Sequence, residues 1–217
     1  MSVAKLVEKH ISSIPFLEES IQDDLINISS LARRLKPAIE EELGKTVKIG
    51  AVVMAINRLN FKKLKKVNNE VSDFLSRVGD IIIRSNLSTY TFKNSMTLSA
   101  AQMKLMDIVS NEIDGFCTVS QGVYETTVVT VSTLDDEVKK LFAKESVIEN
   151  QSNLSSVTLR LPTNDVPGVY YYILKHVAWE NINISEVIST RNELTLVVSD
   201  DEIDRLFTVL MQLKKKK

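Results

Sequence analysis

The sequence predicts an α+β fold: an N-terminal helical bundle followed by two βαββαβ units. Three observations predict it. Apolar residues recur at helical spacing through residues 1–70. From residue 80 onward, β-branched runs alternate with helical stripes. The order strand–helix–strand–strand–helix then occurs twice, over 80–150 and over 151–217.

The totals set the frame. A chain of 217 residues, 44% hydrophobic and 25% charged, has ordinary globular composition and enough length for a sizeable core. A net charge of -1 argues against a whole-protein field for nucleic acid or membrane, leaving local patches. The single cysteine, Cys117, excludes an intrachain disulfide framework and fits a reducing compartment. No apolar run approaches the roughly 20 residues of a membrane helix. Lys5, Glu8, Lys9 and His10 stand where a signal peptide needs an apolar core. The expectation is a cytoplasmic protein that does not enter membranes.

Val3, Leu6, Val7, His10, Ile11 and Ile14 form the first helical stripe. Pro15 ends that helix and opens a second with Leu17, Ile21 and Leu25. Ser29 or Ser30 is expected to cap a third helix, because a hydroxyl accepts from orphan backbone N–H groups. That segment, 28–35, looks like the first helix of a helix-turn-helix, with Lys36-Pro37 breaking it and Gly44 closing the next helix. Residues 47–60 read as a longer, apolar helix.

Between Gly44 and Glu70, Lys45, Lys48, Arg58, Lys62, Lys63, Lys65 and Lys66 face the single acid Glu70. With Arg33 and Arg34, this cationic set suits phosphates. Against that stand Glu40, Glu41 and Glu42, which a phosphate-lined groove would repel, and the apolar character of the last helix. DNA and a protein both remain as partners of this region. The residues 62–77 read as a helix end and a charged connector.

In the first repeat, 81–83 and 87–92 read as strand, and Leu98, Ala101, Leu105, Ile108 and Val109 as a helix face. Residues 116–119 and 123–131 form a hairpin around Gln121-Gly122, and Leu134, Val138, Leu141 and Phe142 form a second helix face. In the second repeat, a strand ends at Pro162 and Pro167-Gly168 opens a helix with Val169, Tyr172, Ile173, His176 and Val177 on one side. Ile182 and Ile184 alternate, as do Leu194, Leu196 and Val198, around an Arg191-Asn192 turn. Asp200-Asp201-Glu202 starts the last helix, with Ile203, Leu206, Phe207 and Leu210 inward. The repeat is also literal. Val128-Val129-Thr130-Val131-Ser132 followed by Asp135-Asp136-Glu137 is echoed by Thr195-Leu196-Val197-Val198-Ser199 followed by Asp200-Asp201-Glu202.

This order, with Pro167-Gly168 opening the helix and Glu180-Asn181-Ile182-Asn183-Ile184 after it, resembles the ACT domain, most closely the regulatory ACT units of aspartokinases. The resemblance covers about the last third of the chain and implies ferredoxin-like units. An ACT unit has a fourth strand after its second helix, and the second repeat has no chain left for one. The resemblance implies interleaved strands, for which 80–84 and 147–150 are the candidates. It also implies an effector, usually an amino acid, bound between two units. On this sequence the positions are Asn164, Asp165, Val166, Pro167, Gly168 and Val169, with Asn181 and Asn183 opposite. Gly168 lets a ligand approach the backbone, a helix start offers N–H groups to a carboxylate, and Asp165 or an Asn accepts from an ammonium. A turn that merely opens the helix explains the same residues. The first repeat has Lys93-Asn94-Ser95-Met96-Thr97 in place of Pro-Gly, which assigns the ligand to the second.

No catalytic set is expected. His10 and His176 lie on apolar helix faces, Cys117 has no histidine near it in sequence, and no Cys/His cluster has zinc spacing. No cofactor or metal is expected. Tyr170 and Tyr171 flank the inward Tyr172 and suit a partner surface. The sequence therefore points to a regulatory, non-catalytic homodimer with an amino-acid effector and an N-terminal domain for DNA, or else to a protein–protein interaction module.

Overall fold

The computed structural model describes residues 2–14, 17–22, 24–59, 70–112 and 115–215. The chain divides into two compact units, Met1–Glu70 and Val71–Lys217.

The N-terminal unit holds α1 (Val3–Ser12), α2 (Leu17–Gln22), α3 (Ile28–Leu43) and α4 (Ile49–Asn57). Leu6, Val7, Ile11, Leu31, Leu35, Ile39, Val52 and Ile56 share one core. The Oγ of Ser2 accepts from the Lys5 N–H and caps α1. The cap of α3 is Asn27, not Ser29 or Ser30: its side chain accepts from the Ser30 N–H at 3.0 Å.

The expected break at Lys36-Pro37 is absent, because α3 runs through Pro37 to Gly44. Proline removes one helical hydrogen bond and crowds the preceding turn. Pro37 is exposed, so water can meet the freed Arg33 carbonyl, while Leu31, Ala32, Leu35 and Ile39 bury the opposite side. The turn of the helix-turn-helix expected at that point therefore does not exist. Gly44 ends α3 in the left-handed region, at φ 66.

The continuous helix also gives its glutamates internal work. Glu42 accepts from Lys9 Nζ at 2.8 Å, tying α3 to α1, and its other oxygen lies 2.8 Å from His10 Nε2. Glu40 Oε1 accepts from the Val47 N–H at 2.7 Å and lies 3.2 Å from Lys36 Nζ. The Val47 N–H is the main reason that the Glu40 carboxyl sits below its ordinary value of 4.5, with Lys36 helping. A depressed folded value means stability that is fully present above pH 4.5 and lost as pH falls through the folded value. Acid titration of a Glu40→Gln variant is expected to show a shallower loss of stability below pH 4.5 than the parent; identical slopes would remove the clamp.

Helical residues 70–76, here α5, lead into the second unit, which begins at Val71. Then follow β1 (Ile81–Lys93), α6 (Leu98–Ser110), β2 (Cys117–Gln121), β3 (Glu125–Val131), α7 (Asp135–Leu141), β4 (Val147–Arg160), α8 (Val169–Trp179), β5 (Glu186–Ser189), β6 (Glu193–Ser199) and α9 (Ile203–Lys215). All strands form one antiparallel sheet in the order β2-β3-β1-β4-β6-β5.

The two long strands explain the fourth-strand problem. The first half of β1, Ile81 to Arg84, pairs with Leu159 to Ser156 of the second repeat. The first half of β4 pairs back, with Asn150 and Glu149 opposite Tyr90 and Thr91. Each repeat thus takes its fourth strand from the segment that leads into the other repeat's first strand, and β4 runs through the boundary expected at 150/151. The bends fall at Asn86 (φ 58) and Asn153 (φ 57), the left-handed positions of two identical runs, Ser85-Asn86-Leu87-Ser88 and Ser152-Asn153-Leu154-Ser155. The β1–β4 register shifts on both sides of the pair Leu87–Leu154, one extra residue on each strand. These are β-bulges, and asparagine tolerates the left-handed backbone they need.

The repeats match in detail. Ser88 Oγ donates to Asp135 and Ser155 Oγ to Asp200, at 3.1 and 2.5 Å, joining each first strand to its second helix. Thr91 and Thr127 pair across strands at 3.1 Å, and Thr158 and Thr195 do so at 2.8 Å. On the helix side of the sheet the first repeat buries Tyr90, Phe92, Leu98, Leu105 and Phe142, with Phe92 stacked on Phe142 at 4.6 Å. The second repeat buries Val157, Leu159, Ile173, Leu196, Leu206 and Leu210. Strand alternation puts Leu87, Val129, Leu154 and Val197 on the other side, in a small central cluster of their own.

Three elements differ from expectation. Ile182 and Ile184 lie before β5 and pack into the core without strand pairing. Phe207 is half-buried, and Val209 and Leu213 join Leu206 and Leu210 in the core instead. The supposed connector contains α5, whose Val71, Phe74 and Leu75, with Val78 beyond it, are buried in the second repeat's core. Their spacing is that of an amphipathic helix.

Candidate functional site

A cleft of about 550 Å3 opens beside the start of α8. The loop from Pro162 to Gly168 forms one wall, the first turn of α8 a second, and Arg191 at the β5–β6 hairpin a third. Phe74 of α5 and Leu161 at the end of β4 supply apolar lining. The hairpin is fixed by Thr190 N–H to Glu193 C=O at 3.0 Å, and Leu161 N–H donates to Asn192 C=O at 2.7 Å. Tyr170 Oη lies 2.5 Å from Ser189 Oγ and ties α8 to β5.

Asn164, Asp165, Val166, Pro167, Gly168 and Val169 all line this cleft, together as the sequence positions imply. Asn181 and Asn183 do not. They are exposed just past the other end of α8, about 16 Å of helix away at ~1.5 Å per residue. Asn181 is a left-handed residue (φ 55) after the last helical turn, and the Asn183 N–H donates to Glu202 Oε1 at 3.4 Å. Arg191, Phe74, Leu161 and Tyr170 join the cleft although the sequence reading did not assign them to it. Helical spacing of Val71, Phe74, Leu75 and Val78 was the signal available for Phe74. Nothing local in the sequence marks Arg191.

Gly168 is the N-cap of α8 at φ 88, and it has no side chain with which to cap. The matching helix start in the first repeat is closed from within. Ser95 Oγ accepts from the Leu98 N–H at 3.1 Å, and the Glu145 carboxylate accepts from Ser95 Oγ at 2.5 Å and from Thr97 Oγ1 at 2.7 Å. Those hydroxyls hold the Glu145 carboxyl below its ordinary value. Asn94 is engaged too, donating to Gly122 C=O and accepting from Thr126 Oγ1. The Ser95 hydroxyl, itself held by the Glu145 carboxylate, thus meets the helix-start N–H groups of the first repeat. In the second, the corresponding place faces the cleft. Asp165 and Arg191, the two charged residues of the lining, have no ion-pair partner among the described residues.

His176 and Cys117 do not line the cleft. His176 Nδ1 donates to Tyr172 C=O at 2.7 Å and its ring lies 4.5 Å from the Tyr172 ring, a bond internal to α8. Burial pushes the Cys117 thiol up to about 11, away from reactivity. No group of three or more His, Cys, Asp or Glu among the described residues is placed to hold a metal. No described helix is long and apolar enough to cross a membrane. Tyr170 and Tyr171 are exposed by 44% and 45% at the mouth of the cleft. In the N-terminal unit, Arg33, Arg34, Lys45 and Lys48 are all exposed. Lys62, Lys63, Lys65 and Lys66 lie outside the described residues.

Solved structures share this architecture. Aspartate kinase of Clostridium acetobutylicum, an allosteric enzyme, matches 64% of this chain at 14% identity with a TM-score of 0.53; the match spans 35% of that enzyme. The ligand-free regulatory subunit of aspartate kinase from Thermus thermophilus matches 63% of this chain and 97% of its own, at 10% identity and a TM-score of 0.52. Its counterpart from Thermus flavus matches the same shares at 10% identity and a TM-score of 0.51. At these identities the likeness is one of fold. The strand-rich unit has the ACT-type fold of aspartate kinase regulatory regions, preceded in this chain by helices. No protein-family model matches the sequence, and no curated protein matches it significantly.

Proposed function

We propose that this is a non-catalytic regulatory protein whose second ACT-type repeat binds a free amino acid in the cleft at Gly168. One observation carries the reading. The first repeat meets its helix start with the Ser95 hydroxyl, held in turn by the Glu145 carboxylate, whereas the second presents a start without a side-chain cap to a cleft that also holds Asp165 and Arg191. A ligand carboxylate suits the helix start and Arg191, and its ammonium suits Asp165. The volume of about 550 Å3 lies within the range of small-molecule sites. The bound state biases the N-terminal unit, and two copies associate through the sheet-bearing units. An interaction module without a small-molecule effector is the alternative. For the N-terminal unit itself, the partner is duplex DNA or a protein; Arg33, Arg34, Lys45 and Lys48 are exposed, and one contiguous positive face made from them would select DNA.

Thermal unfolding of the full chain with each of the twenty amino acids tests the proposal. A ligand present at 100 times its dissociation constant adds about 2.7 kcal/mol to stability. At least one amino acid is expected to raise the melting temperature. Twenty flat curves, repeated by calorimetric titration, would leave the interaction module.

A further inference from the structure

Resting on that binding reading, we infer that the ligand's side chain is apolar and that Phe74 is the residue that recognises it. The lining is mostly apolar: Phe74, Leu161, Val166 and Val169 stand with Pro162 and Pro167. Its charges are one acid and one base, Asp165 and Arg191. A free amino acid already brings one carboxylate and one ammonium. Those two lining charges complement the two backbone charges, and no charged group of the cleft is left for a charged side chain. Burying an unpaired ammonium or carboxylate against apolar walls is heavily unfavourable. An aliphatic or aromatic side chain instead removes apolar surface from water on both sides of the contact.

Phe74 gives this preference a structural consequence. It is 3% exposed and belongs to α5, which Val71 and Leu75 also bury in the core formed by α8 and α9. A ligand side chain resting on Phe74 adds contacts to α5, the first element of this unit after Glu70.

Calorimetric titration of the full chain with leucine, isoleucine, valine, phenylalanine, lysine, threonine and aspartate tests this. One of the first four is expected to bind at least about tenfold tighter than lysine, threonine or aspartate, the scale on which apolar pockets discriminate. Phe74→Ala is expected to weaken that ligand at least about tenfold. Phe74→Leu keeps an apolar core residue, so it supplies the measurement if the alanine variant does not fold; it is expected to change the ranking among the four. Hydrogen exchange at 71–76 should slow in the bound state. Preferred binding of lysine, threonine or aspartate would overturn the inference and leave the amino-acid site standing. So would an apolar ligand indifferent to Phe74, or one that leaves exchange of α5 unchanged. No binding by any amino acid would sink the site itself.

Discussion

Leu154→Ala is expected to cost about 2–5 kcal/mol, the range for truncating a buried leucine, and to destabilise both repeats together. Leu154 is 3% exposed and faces Leu87, 0% exposed, between the two bulges. The pair sits with Val129 and Val197 in the central cluster on the sheet face away from Tyr90 and Phe92. Each of the two strands that cross there serves both repeats. Urea unfolding followed by the tyrosines of the two halves should therefore give one transition for residues 71–217, shifted as a whole by the variant. Leu87→Ala should have a similar effect, and the double variant should cost less than the sum, because both enlarge one cavity. Two separate transitions, or an effect confined to one repeat, would contradict the shared sheet.

That coupling was only half legible in the sequence. Strand and helix order could be read because alternation and helical stripes are local patterns, and Asp135 and Asp200 announced their helices. The candidates for interleaved strands were the right segments, 80–84 and 147–150, but pairing across the chain leaves no local trace. The repeated Ser-Asn-Leu-Ser run did mark the bends, in residues that read locally as ordinary strand. Pro37 misled for the opposite reason. It is a strong local breaker, yet four buried residues on the other face of α3 outweigh the one hydrogen bond it removes. At the site, residues 164–169 are contiguous and could be seen together, whereas Phe74 and Arg191 arrive from distant elements through packing. Asn181 and Asn183 stand apart from this cleft because a helix of eleven residues intervenes.

Gly168→Val is expected to abolish the response to the ligand while the protein remains folded. A β-branched residue at φ 88 is strained, at roughly 1–2 kcal/mol by the cost of left-handed backbone for residues with a Cβ. That loss is within reach of a stable unit. The side chain would also stand at the uncapped start of α8, on the lining of the cleft. The melting temperature should fall modestly, circular dichroism should stay native, and the amino acid that stabilises the parent should no longer do so. A preserved ligand response would move the site away from this helix. Total loss of structure would point to a heavier backbone role for Gly168 than its place in a surface loop implies.

The crossed strands also fix what a growing chain can do on the ribosome. Ile81, Ile82 and Ile83 are synthesised early, yet their partners Leu159, Thr158 and Val157 appear only after the whole first repeat. Until then this stretch is an uncharged, β-branched strand with nothing beside it, the kind of segment that finds wrong partners. The left-handed bend at Asn86 separates it from the rest of β1, which closes with β3 much sooner. In order of synthesis, the partners of one half of this strand therefore arrive well before those of the other.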